Sequence, residues 1–108
     1  MGRYLIQGNY TQQGISGLVS SPEDRSGVLK ALAEGAGGRV ITYDYCFGEF
    51  DFVGVFEMPD DVTMASLVMA FGVNGSLSNL RTTVLLSVAD GFTAAQKAKG
   101  MTVRPPGQ

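Results

Sequence analysis

The chain reads as an α+β domain in which a four-stranded antiparallel sheet carries its helices on one face. Three observations predict this. Strand and helix periodicities follow one another in the order β-α-β-β-α-β, a glycine turn separates the two central strands, and the composition supports one core. Of the 108 residues, 44% are hydrophobic and 17% charged, more apolar and less charged than disordered segments. A single domain of this size buries roughly 65% of its unfolded surface. Glycine, at 15 residues, is about twice its usual ~7% share, but no Gly-X-Y period accompanies it, which excludes a collagen-like chain.

The elements follow in order. From Arg3 to Tyr10 the residues alternate, with Tyr4, Ile6, Gly8 and Tyr10 on one side and Leu5, Gln7 and Asn9 on the other, as a strand requires. Thr11 caps a short helical turn through about Val19, and Ser21-Pro22-Glu23-Asp24 opens a second helical segment. Serine suits the N-cap there, proline the first turn, and the acids the positive end of the dipole. Leu29, Leu32, Ala33 and Ala36 form its apolar stripe, and Gly35, Gly37 and Gly38 end it. Arg39–Phe47 and Phe50–Met58 are the next strands, joined by a tight turn at Gly48-Glu49 into a hairpin. Pro59-Asp60-Asp61 stops the second of these and caps a helix bearing Met64, Leu67, Val68 and Phe71 at helical spacing. A fourth strand spans about Ser78 to Ser87, and Asp90–Lys99 a short last helix. The domain is therefore placed at residues 1–103, with 104–108, Arg-Pro-Pro-Gly-Gln, as an extended tail. This order is the split βαβ, or ferredoxin-like, arrangement, with both crossover helices on one face.

The second face of the sheet then has to be accounted for. Strict alternation puts Val40, Thr42 and Cys46 on one side and Ile41, Tyr43, Tyr45 and Phe47 on the other. With the smaller set under the helices, these rings and those of Phe50, Phe52 and Phe56 form an uncovered aromatic face. Four exposed rings at roughly 100 Å² each exceed what a monomer usually leaves bare. The expectation is a homodimer or larger symmetric oligomer with sheets packed face to face.

Tyr4-Leu5-Ile6-Gln7, Tyr10-Thr11, Gly37-Gly38, Phe47-Gly48-Glu49-Phe50-Asp51, Thr82-Thr83 and Arg104-Pro105-Pro106-Gly107 together resemble the GYD family, named for a Gly-Tyr-Asp signature. Phe50 stands in place of the signature tyrosine, Glu49 of a frequent aspartate, and Val84 of a frequent proline. The missing hydroxyl at Phe50 argues against essential proton chemistry there. The resemblance implies a ferredoxin-like, dimeric α/β barrel, and carries no established activity.

Charge and residue types narrow the function. Eight basic residues against ten acidic ones are scattered rather than striped, so nucleic acid is not an expected partner. The absence of histidine removes the commonest metal ligand and the commonest base near neutral pH; no metal and no cofactor are expected. The single cysteine, Cys46, excludes an internal disulfide framework. It reads as a buried, inert thiol or, lacking an activating base, a weak nucleophile. No apolar run approaches the ~20 residues of a membrane span, and a cytoplasmic setting is expected.

Catalytic candidates reduce to Asp51 and Asp44. Asp51 is either a rim carboxylate of an intersheet cavity or an acceptor for turn N–H groups. Asp44 is either a cavity carboxylate, a partner of Arg39 or Arg81, or a solvated strand end. Gln7, Asn9, Tyr43 and Tyr45 are expected on the side away from the helices, as ligand-orienting groups or as hydrogen-bonding groups of a homodimer interface. Three functions follow: a homo-oligomeric module holding a small apolar or aromatic ligand between sheets; a cofactor-free isomerase or monooxygenase; or an oligomeric regulator sensing a metabolite. A carboxylate opening into an enclosed pocket separates the enzyme from the others.

Overall fold

A computed structural model describes all 108 residues. In chain order the elements are β1 (Gly2–Tyr10), α1 (Gln12–Ser20), α2 (Ser26–Gly35), β2 (Arg39–Tyr45), β3 (Phe52–Met58), α3 (Asp61–Val73), β4 (Leu77–Leu85) and α4 (Val88–Lys99). The strands form one antiparallel sheet in the order β2-β3-β1-β4, the ferredoxin-like arrangement that the periodicities predict.

Local chemistry sets the helix starts. The Thr11 hydroxyl accepts the Gly14 N–H and caps α1, and the Asp60 carboxylate accepts the Thr63 N–H and caps α3. The Ser21 start signal behaves differently: Ser21 closes α1, and α2 begins only at Ser26. There the Asp24 carboxylate accepts both the N–H and the O–H of Ser26, so the acid, not the serine, holds the first turn. The hairpin is also wider than a two-residue turn. β2 stops at Tyr45 and β3 starts at Phe52, and residues 46–51 form a loop closed by Cys46 N–H donating to the Asp51 carbonyl at 2.9 Å.

The core lies between the sheet and helices α2 and α3. Tyr4, Ile6, Phe52, Phe56 and Met58 from β1 and β3 pack against Ala33, Met64 and Leu67. Phe52 and Phe56 thus face the helices, not an open side. Two strand glycines make room for the rings. A Cβ on Gly8 would come within 2.7 Å of the Phe52 ring, and one on Gly54 within 2.9 Å of the Tyr43 ring.

The side chains on the other face form three rows across the sheet. Register places Arg39, Glu57, Arg3 and Leu85 in the first row, Thr42, Val55, Leu5 and Thr83 in the second, and Asp44, Val53, Gln7 and Arg81 in the third. None of these residues is buried. Arg39 and Arg3 both reach the Glu57 carboxylate, and the Arg39 hydrogen bond above all holds the Glu57 carboxyl below its ordinary pKa. The expected aromatic face is therefore absent.

For the rings of β2 the reason is a β-bulge. Val40 pairs with Phe56 and Thr42 with Val55, leaving Ile41 as an extra residue in β2. One inserted residue reverses the facing of everything after it. Tyr43 and Tyr45, opposite Gly54 and Phe52, consequently join Val40 on the helix side. A second irregularity lies in β4, where Asn79 takes φ 53°, a left-handed conformation that asparagine tolerates.

The molecule is long. Its radius of gyration is 17.7 Å and its extents are 60 × 33 × 23 Å, against about 13 Å for a compact chain of this length. The C-terminal region accounts for this: α4 contributes no buried residue, and residues 101–108 are all exposed.

Candidate functional site

The bulge at Ile41 and the glycines of β1 and β3 gather four rings at the end of the sheet under α2. The rings of Tyr43 and Phe52 stack with centroids 5.8 Å apart and an interplanar angle of 21°. Tyr10 lies 5.5 Å from Phe52 and 6.1 Å from Tyr45. The hydroxyls of Tyr10 and Tyr43 meet at 3.2 Å. Beside them opens a cavity of about 210 Å³, walled mainly by Ile6, Leu29, Leu32, Phe52 and Phe71, with Arg25 at its lining. Burial pushes the Tyr10 phenol far above its ordinary pKa, helped by the hydrogen bond to Tyr43. Burial also raises Tyr43, although its bond with Tyr10 pulls the other way. Both phenols therefore keep their protons at neutral pH, and act as hydrogen-bond donors rather than bases.

The four expected ligand-orienting residues divide between two faces. Tyr43 and Tyr45 stand in the ring cluster, whereas Gln7 lies on the opposite face, between Val53 and Arg81. Asn9 has a structural task. Its amide donates to the Glu49 carbonyl at 3.1 Å and accepts from the Asn79 amide at 3.0 Å, tying the 46–51 loop to the β4 bulge. The common facing expected for the four fails because strict alternation does not survive the extra residue at Ile41.

Asp51 is engaged by backbone. Its carboxylate accepts the Tyr10 N–H at 2.9 Å, while its own N–H donates to the Gly8 carbonyl at 2.9 Å. The acceptor role expected of it is met by β1 rather than by the turn. Asp44 is exposed on the helix-free face and forms no ion pair; Arg39 pairs with Glu57 instead. Neither carboxylate lines the helix-side cavity. Cys46 is half-buried rather than buried, and its thiol donates to the Phe50 carbonyl at 3.0 Å. No three His, Cys, Asp or Glu side chains converge closely enough to hold a metal ion. No helix is long and apolar enough to cross a membrane.

Sequence reasoning missed Arg25 and the full part of Tyr10. The alternation of β1 already put Tyr10 beside Ile6, so its burial was readable. Arg25 sits between α1 and α2, where no periodicity reports which way a side chain points.

The segment Gly48-Glu49-Phe50-Asp51 thus acts as a staple between the hairpin loop and β1. The GYD domain model matches residues 4–95. The chain belongs to the GYD domain family. A relative from Thermus thermophilus, named glutamine synthetase and cystathionine beta-lyase binding protein, is 30% identical over 90 residues, covering 83% of this chain and 94% of the relative. In this GYD domain, the signature position Phe50 offers its backbone carbonyl, which needs no phenol hydroxyl.

Proposed function

We propose that this GYD-domain protein is a self-associating module that binds other proteins, and that its C-terminal arm docks on a second copy. The observation that carries this reading is α4. Its twelve residues include none that is buried, with Val88 93% and Phe92 65% exposed. An isolated helix of that length is marginal in water, so a packing surface is needed. Val84, Leu86, Met101 and Val103 around it are likewise bare. At the opposite end of β1, Phe47, Tyr45 and Ile15 are exposed as well.

A two-fold axis that runs the two sheets antiparallel brings each arm toward the partner's 46–51 loop, covering both apolar ends at once. Leu5, Val53 and Val55 on the helix-free face lie between those ends. The name of the Thermus thermophilus relative supports binding beyond self-association, and makes glutamine synthetase and cystathionine beta-lyase the first partners to try. The alternative, a cofactor-free isomerase or monooxygenase, finds less support, since Asp51 is held by the Tyr10 N–H and Asp44 faces solvent.

Light scattering at micromolar concentration tests the assembly. The full chain is expected as a dimer or larger species, and a chain ending at Leu86 as a monomer; a monomeric full chain overturns the reading. Calorimetric titration with purified glutamine synthetase and cystathionine beta-lyase tests the second half. Saturable binding of either supports it, and binding of neither removes it.

A further inference from the structure

We infer that the helix-side cavity is a binding site for a small carboxylate with an aromatic body. The inference does not depend on the assembly, because one subunit supplies every wall. The cavity's volume, about 210 Å³, exceeds the roughly 150 Å³ that suffices to hold benzene in an apolar void. Its walls suit a flat ring. Phe52 and Tyr43, stacked on each other, form one wall, and Leu29, Leu32 and Phe71 close the other sides. Leu32 is 45% exposed although it belongs to the apolar stripe of α2, which places it at the mouth of the cavity.

Five polar side chains line the cavity: Asn74, whose amide oxygen accepts the Ser76 N–H at 2.9 Å, Ser76 itself, and three donors. The donors are Tyr10, Tyr43 and Arg25. Only one of the two phenol protons is used in the Tyr10–Tyr43 bond. The Arg25 guanidinium carries a positive charge and five N–H donors. One of its terminal nitrogens bonds Glu23 at 2.7 Å, an exposed pair of small worth, so the remaining donors are free. A planar oxyanion satisfies a guanidinium fork and a phenol O–H together. A neutral arene fills the walls and leaves those donors unanswered.

Calorimetry and amide chemical-shift mapping on the full chain test this, with phenylacetate and its neutral isostere phenylacetamide as probes. Phenylacetate is expected to bind saturably, to shift amides of α2 and of residues 43–45, and to bind about tenfold more tightly than phenylacetamide. Arg25→Gln is expected to weaken phenylacetate about tenfold and to leave phenylacetamide unchanged. Leu32→Trp, filling the mouth from a half-exposed position, is expected to abolish both. Light scattering on the same samples separates loss of binding from loss of assembly. No saturation by phenylacetate, equal affinity for the two probes, or an Arg25→Gln protein that binds phenylacetate as tightly as the parent overturns the inference.

Discussion

The two ends of this chain are held by different physics. Under α2 and α3, Ile6, Ala33, Phe56 and Met58 are all at 0% exposure, and the elements there stand because they bury one another. The arm from Ser87 onward buries nothing, yet α4 has every local helix signal. Ser87 accepts the Asp90 N–H as N-cap, Asp90 lies in the first turn, and Lys97 and Lys99 lie in the last, matching the dipole at both ends. The contrast teaches that capping and charge can specify a helix without supplying the packing that keeps it folded. The core is self-sufficient, whereas α4 buries no residue against its own subunit.

The sharpest way to break the comparison is to cut into the core. Phe56→Ala should destabilise the subunit by about 3–5 kcal/mol, measured as a lower midpoint of urea unfolding. An effect as small as that of an arm substitution would mean the two ends are not distinct.

Alkaline pH acts on the core through its tyrosines. The Tyr4 hydroxyl donates to Asp61, and this bond, with burial, raises the Tyr4 pKa from 10.0 to about 12; Tyr10 and Tyr43 are also raised. In each case the folded state holds its proton after the unfolded chain has lost it. The Tyr4 share of this stabilisation is complete below about pH 10 and is lost as pH rises through about 12. Tyrosinate absorbance should accordingly lag behind that of an unfolded chain, and rise together with the loss of circular dichroism.

A cap distinguishes the helices next. Asp60→Ala removes the acceptor of the Thr63 N–H and should cost about 1 kcal/mol in the unfolding midpoint. Smallest of all, Phe92→Ala should change the subunit's own stability by less than about 0.5 kcal/mol. The same substitution should raise the dissociation constant for self-association, measured by dilution in sedimentation. An arm variant that lowers the subunit's midpoint as much as Asp60→Ala would show that α4 folds onto its own chain.

Where local rules decide, the sequence was legible: the apolar spacing of α3, the Thr11 and Asp60 caps, and the element order all stand as read. Two signals misled. Ser21-Pro22 has the grammar of a helix start, but three acceptors compete over a few residues, and the Asp24 carboxylate prevails. The facing of Tyr43 and Tyr45 depends on whether β2 carries an even or odd number of residues between pairing points. Nothing in Val40-Ile41-Thr42 announces the extra one, because all three are β-branched residues at home in a regular strand. The site followed the same limit. Its rings could be named from the alternation of β1, β2 and β3, while their side of the sheet and the approach of Arg25 could not.

The insertion at Ile41 gives β2 opposite parity in its two halves. Tolerance to polar replacement should therefore change phase within a single strand: odd-numbered positions are guarded after the irregularity, and even-numbered Val40 before it. A designer or a mutational scan that assumes one phase for the whole strand will mistake half of its positions for surface.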